Sequence, residues 1–183
     1  MAKNTQLNMN TSQEYNAVMA ECRALFEKKT HDYGSAWRIL RTPSMTDQIF
    51  IKVSRIRNFE ISGVQKVDED IRDAFIAIVN YSIMALVQLE LNDTDKPDLS
   101  KEQALELYDK YAKHAHDLMM DKNHDYGEAW REFHQYTFVD LILQKILRIK
   151  QIDSLGGKTL ASEGIDANYY DMINYAVFAM IKM

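Results

Sequence analysis

The sequence predicts an all-α protein made of two tandem helical repeats. Residues 31–38 (HDYGSAWR) recur as residues 124–131 (HDYGEAWR), and 12 of the 27 positions from 31 to 57 are identical in the second copy. Apolar residues recur at intervals of three and four over most of the chain, which is the period of an amphipathic helix. Only six glycines and two prolines interrupt the 183 residues. We therefore expect two similar units of three to four helices, packed about a pseudo-twofold axis as one helical bundle.

The first helix of each unit is predicted from a cap and an apolar stripe. Ser12 precedes a stripe that ends near Lys29, and Ser100 with Gln103 forms a capping-box pattern before the equivalent stripe. Each helix leads into the HDYG tetrapeptide, where glycine can adopt a positive φ and aspartate can cap the next turn. The tetrapeptide is therefore expected to end one helix and to begin a short segment that carries the tryptophan.

Two further helices are predicted in each unit. One begins near Thr46, and its copy covers residues 139–152. The last helix covers residues 68–91 in the first unit and residues 163–183 in the second. Because this last helix is apolar on almost every side, we expect it to be the most buried element of each unit.

A polar segment divides the chain into its two repeats. Residues 92–99 contain Pro97 and few apolar side chains, which is typical of a joint. We therefore assign repeat 1 to residues 10–91 and repeat 2 to residues 100–183, and expect them to form one compact body.

Composition narrows the classes of partner. The net charge of −5 argues against sequence-independent binding to nucleic acid, which requires clustered Lys and Arg. A single cysteine, Cys22, excludes a disulfide within the chain. We find no uninterrupted apolar run long enough for a membrane span and no signal-peptide core. We expect a cytoplasmic protein without a membrane partner, which is an internal pseudo-dimer and for which further homo-oligomerisation stays open.

Acidic side chains on the last helix of each unit give the most specific functional signal. Glu69 and Asp73 lie on one helical stripe in the first copy, and Glu163 and Asp171 lie on the equivalent stripe in the second. Carboxylate oxygens are the ligands of hard divalent cations, and Mg²⁺ uses one or two carboxylates together with substrate phosphates. We predict that these four acids border a hollow shared by the two halves, where they bind Mg²⁺ and act as the catalytic groups.

Structural salt bridges are the alternative interpretation of the same acids. Ionised Asp73 and Asp171 inside apolar helices need compensating partners, because an unpaired buried charge costs several kcal/mol. Basic residues at equivalent places in the preceding helices could pair with them: Lys52, Arg55, Lys145 and Arg148. The spacing alone leaves the metal site and the salt bridges both open.

Repeated aromatic and polar side chains complete the candidate site. The aromatic rings could stack on a base, the basic groups could contact phosphate, and the asparagines could bind a polar edge. The candidate substrate-binding residues are His31, Asp32, Tyr33, Trp37, Lys52, Arg55, Asn80, His124, Asp125, Tyr126, Trp130, Lys145, Arg148 and Asn174. The structural alternatives are that each tryptophan is buried in the core and that each histidine only contributes to the turn in which it lies.

The order of these motifs resembles a known family. The chain carries Lys-x-His-Asp-Tyr-Gly-x-Ala-Trp, then Lys-x-x-Arg-Ile, then Glu on a helix with Asn-Tyr near its centre, once in residues 29–81 and again in residues 122–176. This pattern resembles the nucleotide modification associated domain 1 family. More remotely, the long helices with acidic steps resemble the all-α nucleoside triphosphate pyrophosphatases of the MazG-like type, which are magnesium-dependent.

The resemblance implies a protein that binds a nucleoside phosphate with Mg²⁺. If it is an enzyme, the remote likeness implies hydrolysis of a nucleoside triphosphate to the monophosphate and pyrophosphate. Two alternatives stay open: a protein that binds nucleotide without catalysis, and a helical scaffold or partner-binding module whose charges form structural salt bridges.

Overall fold

Each repeat folds as three α-helices, with a single 3-10 turn between the first and the second. The computed structural model describes residues 2–64, 70–157 and 164–183, with side chains from residue 10 onward. The helices are α1 (Ala2–Tyr33), α2 (Thr42–Ser62), α3 (Ile71–Leu91), α4 (Lys101–Tyr126), α5 (Gln135–Ser154) and α6 (Ile165–Ile181), and the 3-10 helices are Ala36–Ile39 and Ala129–Glu132. The described residues contain no strand. The predicted all-α, two-repeat fold is confirmed.

The start of α1 differs from the prediction. The helix begins at Ala2, so Ser12 lies inside it and is not an N-cap. The Ser12 hydroxyl instead lies 2.9 Å from Nε2 of His116 in the other repeat. The preceding residue, the buried Thr11, accepts a hydrogen bond from Arg131. Tertiary contacts therefore extend the helix through a sequence that is typical of a helix start.

The HDYG turn has the predicted form in both repeats, except at its aspartate. Gly34 and Gly127 end α1 and α4 with φ of 58° and 64°, a conformation in which side chains with a Cβ are strained. A 3-10 helix with the tryptophan follows each glycine. Asp32 does not cap that turn, because it lies in the last turn of α1 with its carboxylate 3.2 Å from Nδ1 of His31.

Caps and prolines set the remaining helix starts. The capping box of α4 is confirmed, since Ser100 and Gln103 each accept the other's backbone N–H. α2 begins at Thr42, before the predicted Thr46, because Pro43 in its first turn is compatible with a helix start. α3 begins after Asp70, whose carboxylate accepts the N–H of Arg72 at 3.0 Å. That cap places the observed start three residues after the predicted residue 68.

The two repeats pack so that every helix contacts its own copy: α1 against α4, α2 against α5 and α3 against α6. Each pair is antiparallel, because the start of one helix meets the end of the other. The contacts that show this are Glu27 with Lys101 (3.2 Å), Asp47 with Lys150 (2.8 Å) and Arg72 with the carbonyl of Met180 (3.0 Å). This arrangement is that of a pseudo-twofold axis perpendicular to the helices.

A crossed pair of buried hydrogen bonds joins the repeats. Tyr15 of repeat 1 donates to Asn174 of repeat 2 at 2.7 Å, and Tyr108 of repeat 2 donates to Asn80 of repeat 1 at 2.9 Å. The Asn80 amide also donates to the carbonyl of Cys22 at 3.1 Å. Because each first helix satisfies a polar group of the other repeat's last helix, the repeats share one core.

The most apolar helix is also one of the most buried. By length and composition alone, α3 could cross a membrane, which the sequence analysis did not expect. Within the described residues, 72% of its most apolar window is buried against the other helices. This burial is typical of the central helix of a helical bundle.

Replacing Tyr108 with Phe is expected to lower the free energy of unfolding by about 1–3 kcal/mol, because the buried Asn80 oxygen loses a donor. Tyr15→Phe is the matched change at the other crossed bond and is expected to have an effect of similar size. Urea unfolding of both variants and the wild type measures these values. A loss below about 0.5 kcal/mol in both variants would contradict the structural role given to these bonds.

Alkaline pH is expected to destabilise the protein. Burial raises the pKa of the Tyr15 and Tyr108 hydroxyls well above 10, and it raises the pKa of the Cys22 thiol to about 12. Above about pH 9 the unfolded chain therefore loses protons that the folded chain retains, and stability falls as pH rises, by about 1.4 kcal/mol per pH unit for each such group. Urea unfolding between about pH 8 and 11 measures the slope, which should be shallower in Tyr108→Phe. An unchanged slope in that variant would contradict the assignment.

Candidate functional site

A cavity of about 360 Å³ opens beside the HDYG turn of repeat 1. Lys29 and Tyr33 from the end of α1 and Trp37 from the 3-10 helix form one side. Tyr81 and Met84 from α3 line it as well. Every described residue that lines this cavity belongs to repeat 1.

Aromatic rings and apolar side chains form most of the wall. Trp37 is half-buried and lies 6.3 Å from the ring of Phe26, which also lines the cavity. Tyr33 is 72% exposed and stands at the rim. Such walls suit a flat ring, which can stack on or pack edge-on against the aromatic side chains.

Asn80 lines the same cavity, but its carboxamide is already engaged. Its oxygen accepts from Tyr108, and its nitrogen donates to the carbonyl of Cys22. In repeat 2, the Asn174 oxygen accepts from Tyr15. These asparagines therefore join the repeats, and a polar ligand edge would compete with bonds that the core already uses.

The histidine and aspartate of both HDYG turns are exposed: His31, Asp32, His124 and Asp125. In each turn the histidine Nδ1 lies near the neighbouring carboxylate, at 3.2 Å in repeat 1 and 3.1 Å in repeat 2. Tyr126 is as exposed as Tyr33. The predicted contacts of these residues with substrate stay predictions.

The equivalent site of repeat 2 contains a partly buried ion cluster. The two carboxylate oxygens of Asp171 lie 2.5 Å from the Lys122 ammonium and 2.6 Å from the Lys145 ammonium. Asp171 and Lys145 are both buried. For Asp171 the structure therefore has the salt bridge of the alternative interpretation. A carboxylate with an ammonium on each oxygen does not fit a divalent cation.

An aromatic stack fills the other part of the repeat 2 site. Phe178 lies flat against Trp130, with ring centroids 4.2 Å apart and an angle of 4° between the planes. The Arg131 guanidinium covers the Trp130 ring at 4.3 Å from its centroid. Trp130 is therefore a core residue, as the structural alternative expected, whereas Trp37 is partly open to the cavity.

The predicted four-carboxylate centre is not seen in the described part of the chain. Glu69 and Glu163 lie outside the described residues, so their part in it stays a prediction. Asp73 is exposed in the first turn of α3, which corrects the expectation that it is buried. Asp171 has its partners within repeat 2, and the cavity lies within repeat 1. The described groups thus form separate sites, and not the expected shared hollow.

The basic candidates of the second helices lie in different environments. Lys52 and Arg55 are half-buried on α2, and Arg55 approaches the carbonyl of Asp70 at 3.4 Å. Lys145 is buried beside Asp171, whereas Arg148 is exposed on α5. Of these four, Lys145 is the one that the structure shows beside a described acid of the candidate set, Asp171.

Two residues that shape the sites were not among the predicted site residues. Met84 lines the cavity of repeat 1, and its equivalent Phe178 stacks on Trp130 in repeat 2. Both had a signal, because Ala77, Tyr81 and Met84 follow at intervals of four and three along one face of α3. Extending the acidic stripe by about three turns from Asp73 and by about two from Asp171 would have found them.

Comparison with known proteins identifies the family. The family model described as nucleotide modification associated domain 1 matches the chain twice, over residues 29–89 and over residues 122–183. No match was found among curated proteins or solved structures, and the likeness to MazG-like pyrophosphatases is not shown. The matched segments contain the ion cluster of repeat 2 and, except for Leu25 and Phe26, the residues that line the cavity of repeat 1. The chain belongs to the nucleotide modification associated domain 1 family and carries that domain in tandem.

Proposed function

We propose that the chain binds a nucleoside phosphate in the cavity of repeat 1. The observation that carries this proposal is that the most specific motif of the family pattern, HDYG-x-A-W, supplies one side of a cavity of about 360 Å³. Cavities of roughly 300–1,000 Å³ with apolar and aromatic walls and a few polar groups are typical of small-molecule sites. The family description, which names nucleotide modification, supports the choice of ligand.

The side chains on the different sides of the cavity suit different parts of the nucleotide. The base would lie between Trp37 and the side chains of α3, where apolar contact and ring packing stabilise a flat heterocycle. The Lys29 ammonium, which is exposed and lines the cavity, would contact phosphate oxygens. Binding would order the exposed Tyr33 side chain at the rim.

Magnesium would accompany the phosphates. Mg²⁺ retains several waters and binds through one or two carboxylates together with substrate phosphates. Asp73 fits this role in repeat 1, because it is exposed and lies one helical turn before Ala77, which lines the cavity. Asp171 does not fit it, because both of its oxygens face ammonium groups.

Hydrolysis of a bound nucleoside triphosphate is a second candidate function. Attack of water on the α-phosphorus would break its bond to the bridging oxygen, giving the monophosphate and pyrophosphate. The position of Asp73 on the stripe that lines the cavity favours this candidate, because it places a carboxylate near the expected phosphates. Lys29 would neutralise charge that develops on the phosphate oxygens.

Replacing Met84 with Phe is expected to weaken nucleotide binding at least tenfold, because an aromatic ring would fill the cavity as Phe178 does in repeat 2. Met84→Leu is the matched control, since it keeps side-chain volume, and should bind within about threefold of wild type. Calorimetric titration with the common ribo- and deoxyribonucleoside triphosphates and Mg²⁺ measures both. Equal affinity in Met84→Phe and wild type would place the base elsewhere. No binding of any nucleotide to wild type would favour the scaffold alternative.

Asp73→Asn is expected to lower pyrophosphate release at least tenfold if the protein is a hydrolase, because the variant loses a carboxylate that we place near the expected phosphates. The matched control is Asp166→Asn, which neutralises an exposed acid in the first turn of α6 and should leave the rate unchanged. A pyrophosphate-release assay with nucleoside triphosphate and Mg²⁺ measures the rates. Undiminished release in Asp73→Asn would remove this residue from the reaction, and no release from a wild type that binds nucleotide would leave binding as the function.

A further inference from the structure

We propose that the Thr30 hydroxyl binds the polar edge of the ligand's ring in the cavity of repeat 1. The inference rests on the proposed function and deepens it, because it names the residue that distinguishes a nucleobase from an apolar ring of similar size. Asn80 was predicted to bind such an edge, but its carboxamide is bonded to Tyr108 and to the carbonyl of Cys22.

Thr30 is a buried polar residue that lines the cavity. It is only 5% exposed, and it lies in the wall together with Trp37 and Met84. Its carbonyl accepts the N–H of Gly34 at 2.9 Å, in the turn that ends α1. Its hydroxyl makes no hydrogen bond within the described part of the chain. The hydroxyl is therefore a polar group that the fold itself does not use.

The equivalent residue of repeat 2 has a partner inside the protein. Asn123 takes the position of Thr30, is also buried, and donates to the Met119 sulfur at 3.4 Å. Repeat 1 has Phe26 at the position of Met119, and a phenyl ring has no sulfur acceptor. The polar group at this position thus has a protein partner in repeat 2, whereas in repeat 1 it lines a cavity.

The unpaired hydroxyl restricts the class of ring that the cavity accepts. A ligand that shields a polar group from water without replacing its hydrogen bond loses affinity. A hydroxyl both donates and accepts, so it can pair with a nitrogen or an oxygen atom at the edge of a heterocycle. An apolar ring offers neither atom. We therefore expect the cavity to bind nucleobases in preference to apolar aromatic rings.

Lys29 and Thr30 together orient the ligand. Successive residues of an α-helix point about 100° apart, and both of these residues line the cavity. Lys29 is exposed, whereas Thr30 is buried. The Lys29 ammonium thus suits a phosphate at the mouth of the cavity, and the Thr30 hydroxyl suits the ring inside it. The base enters the cavity, and the phosphates stay towards solvent.

Thr30→Val tests the hydroxyl, because it exchanges that group for a methyl group of similar size. The ligand is whichever common ribo- or deoxyribonucleoside triphosphate binds wild type most tightly. We expect Thr30→Val to bind it at least fivefold more weakly, as for the loss of about one hydrogen bond. Thr30→Ser keeps the hydroxyl and should bind within about threefold of wild type. Calorimetric titration with Mg²⁺ measures both. A smaller loss in Thr30→Val, or an equal loss in Thr30→Ser, would overturn the inference.

The melting temperature of Thr30→Val separates binding of the ligand from a structural role. Because the fold does not use the hydroxyl, the variant without ligand should melt at or above the temperature of wild type. A thermal unfolding experiment measures the difference. A melting temperature below that of wild type would show that the fold uses the hydroxyl, and it would overturn the inference.

Free bases separate the inference from the proposed function. Adenine and uracil are titrated by ligand-detected NMR into wild type and Thr30→Val, with toluene as the apolar ring. We expect at least one base to bind wild type more tightly than Thr30→Val, and toluene to bind the two proteins equally. If wild type binds a base in this way but no nucleotide, the role of Thr30 is supported and the proposed function fails. If both proteins bind nucleotide equally well, the proposed function stands and the inference fails.

Discussion

The crossed hydrogen bonds between tyrosine and asparagine are the constraint on which the rest of the structure depends. A buried hydroxyl and a buried carboxamide must each find a partner, since an unsatisfied polar group in the core is costly. Tyr15 and Tyr108 find theirs in the other repeat. The first helix of each repeat is therefore fixed against the last helix of the other repeat. Asn80 accepts one of these hydrogen bonds and also lines the cavity, so the same contact holds this part of the cavity wall in place.

Duplication lets the two copies of one site diverge while the fold is kept. In repeat 2 the site has become part of the core, because Phe178 packs on Trp130 and Asp171 neutralises two lysines. Paired in this way, buried charges are tolerated, although they add little net stability. In repeat 1 the equivalent positions have smaller, uncharged side chains, and a cavity remains. At these two pairs of positions, a difference in sequence between the repeats therefore coincides with a difference in their chemistry.

Local patterns predicted most of the fold, and tertiary contacts explain where they failed. The repeat could be recognised from identical residues at a constant spacing. The helical periods, the glycine turn and the Ser100 capping box each depend on residues that are close together in the chain, so they could be predicted from the sequence as well. Ser12 failed as a cap because its partner is His116, which is far away in the chain. Asp73 was expected to be buried because its helix is apolar, but the first turn of that helix is exposed. The salt bridge of Asp171 was one of two alternatives, and spacing could not choose between them because a carboxylate suits both an ammonium and a metal.

The motif arginines show why one tryptophan is covered and the other is partly open. In repeat 2, Arg131 pairs with Glu14 of α1 and lies over the Trp130 ring. In repeat 1, the buried Arg38 instead binds Asp98 of the segment between the repeats, at 2.9 Å. That segment exists only once in the chain, so the two arginines cannot have equivalent partners. The linker that joins the repeats therefore also breaks their symmetry, because it binds the guanidinium of repeat 1 beside the Trp37 turn.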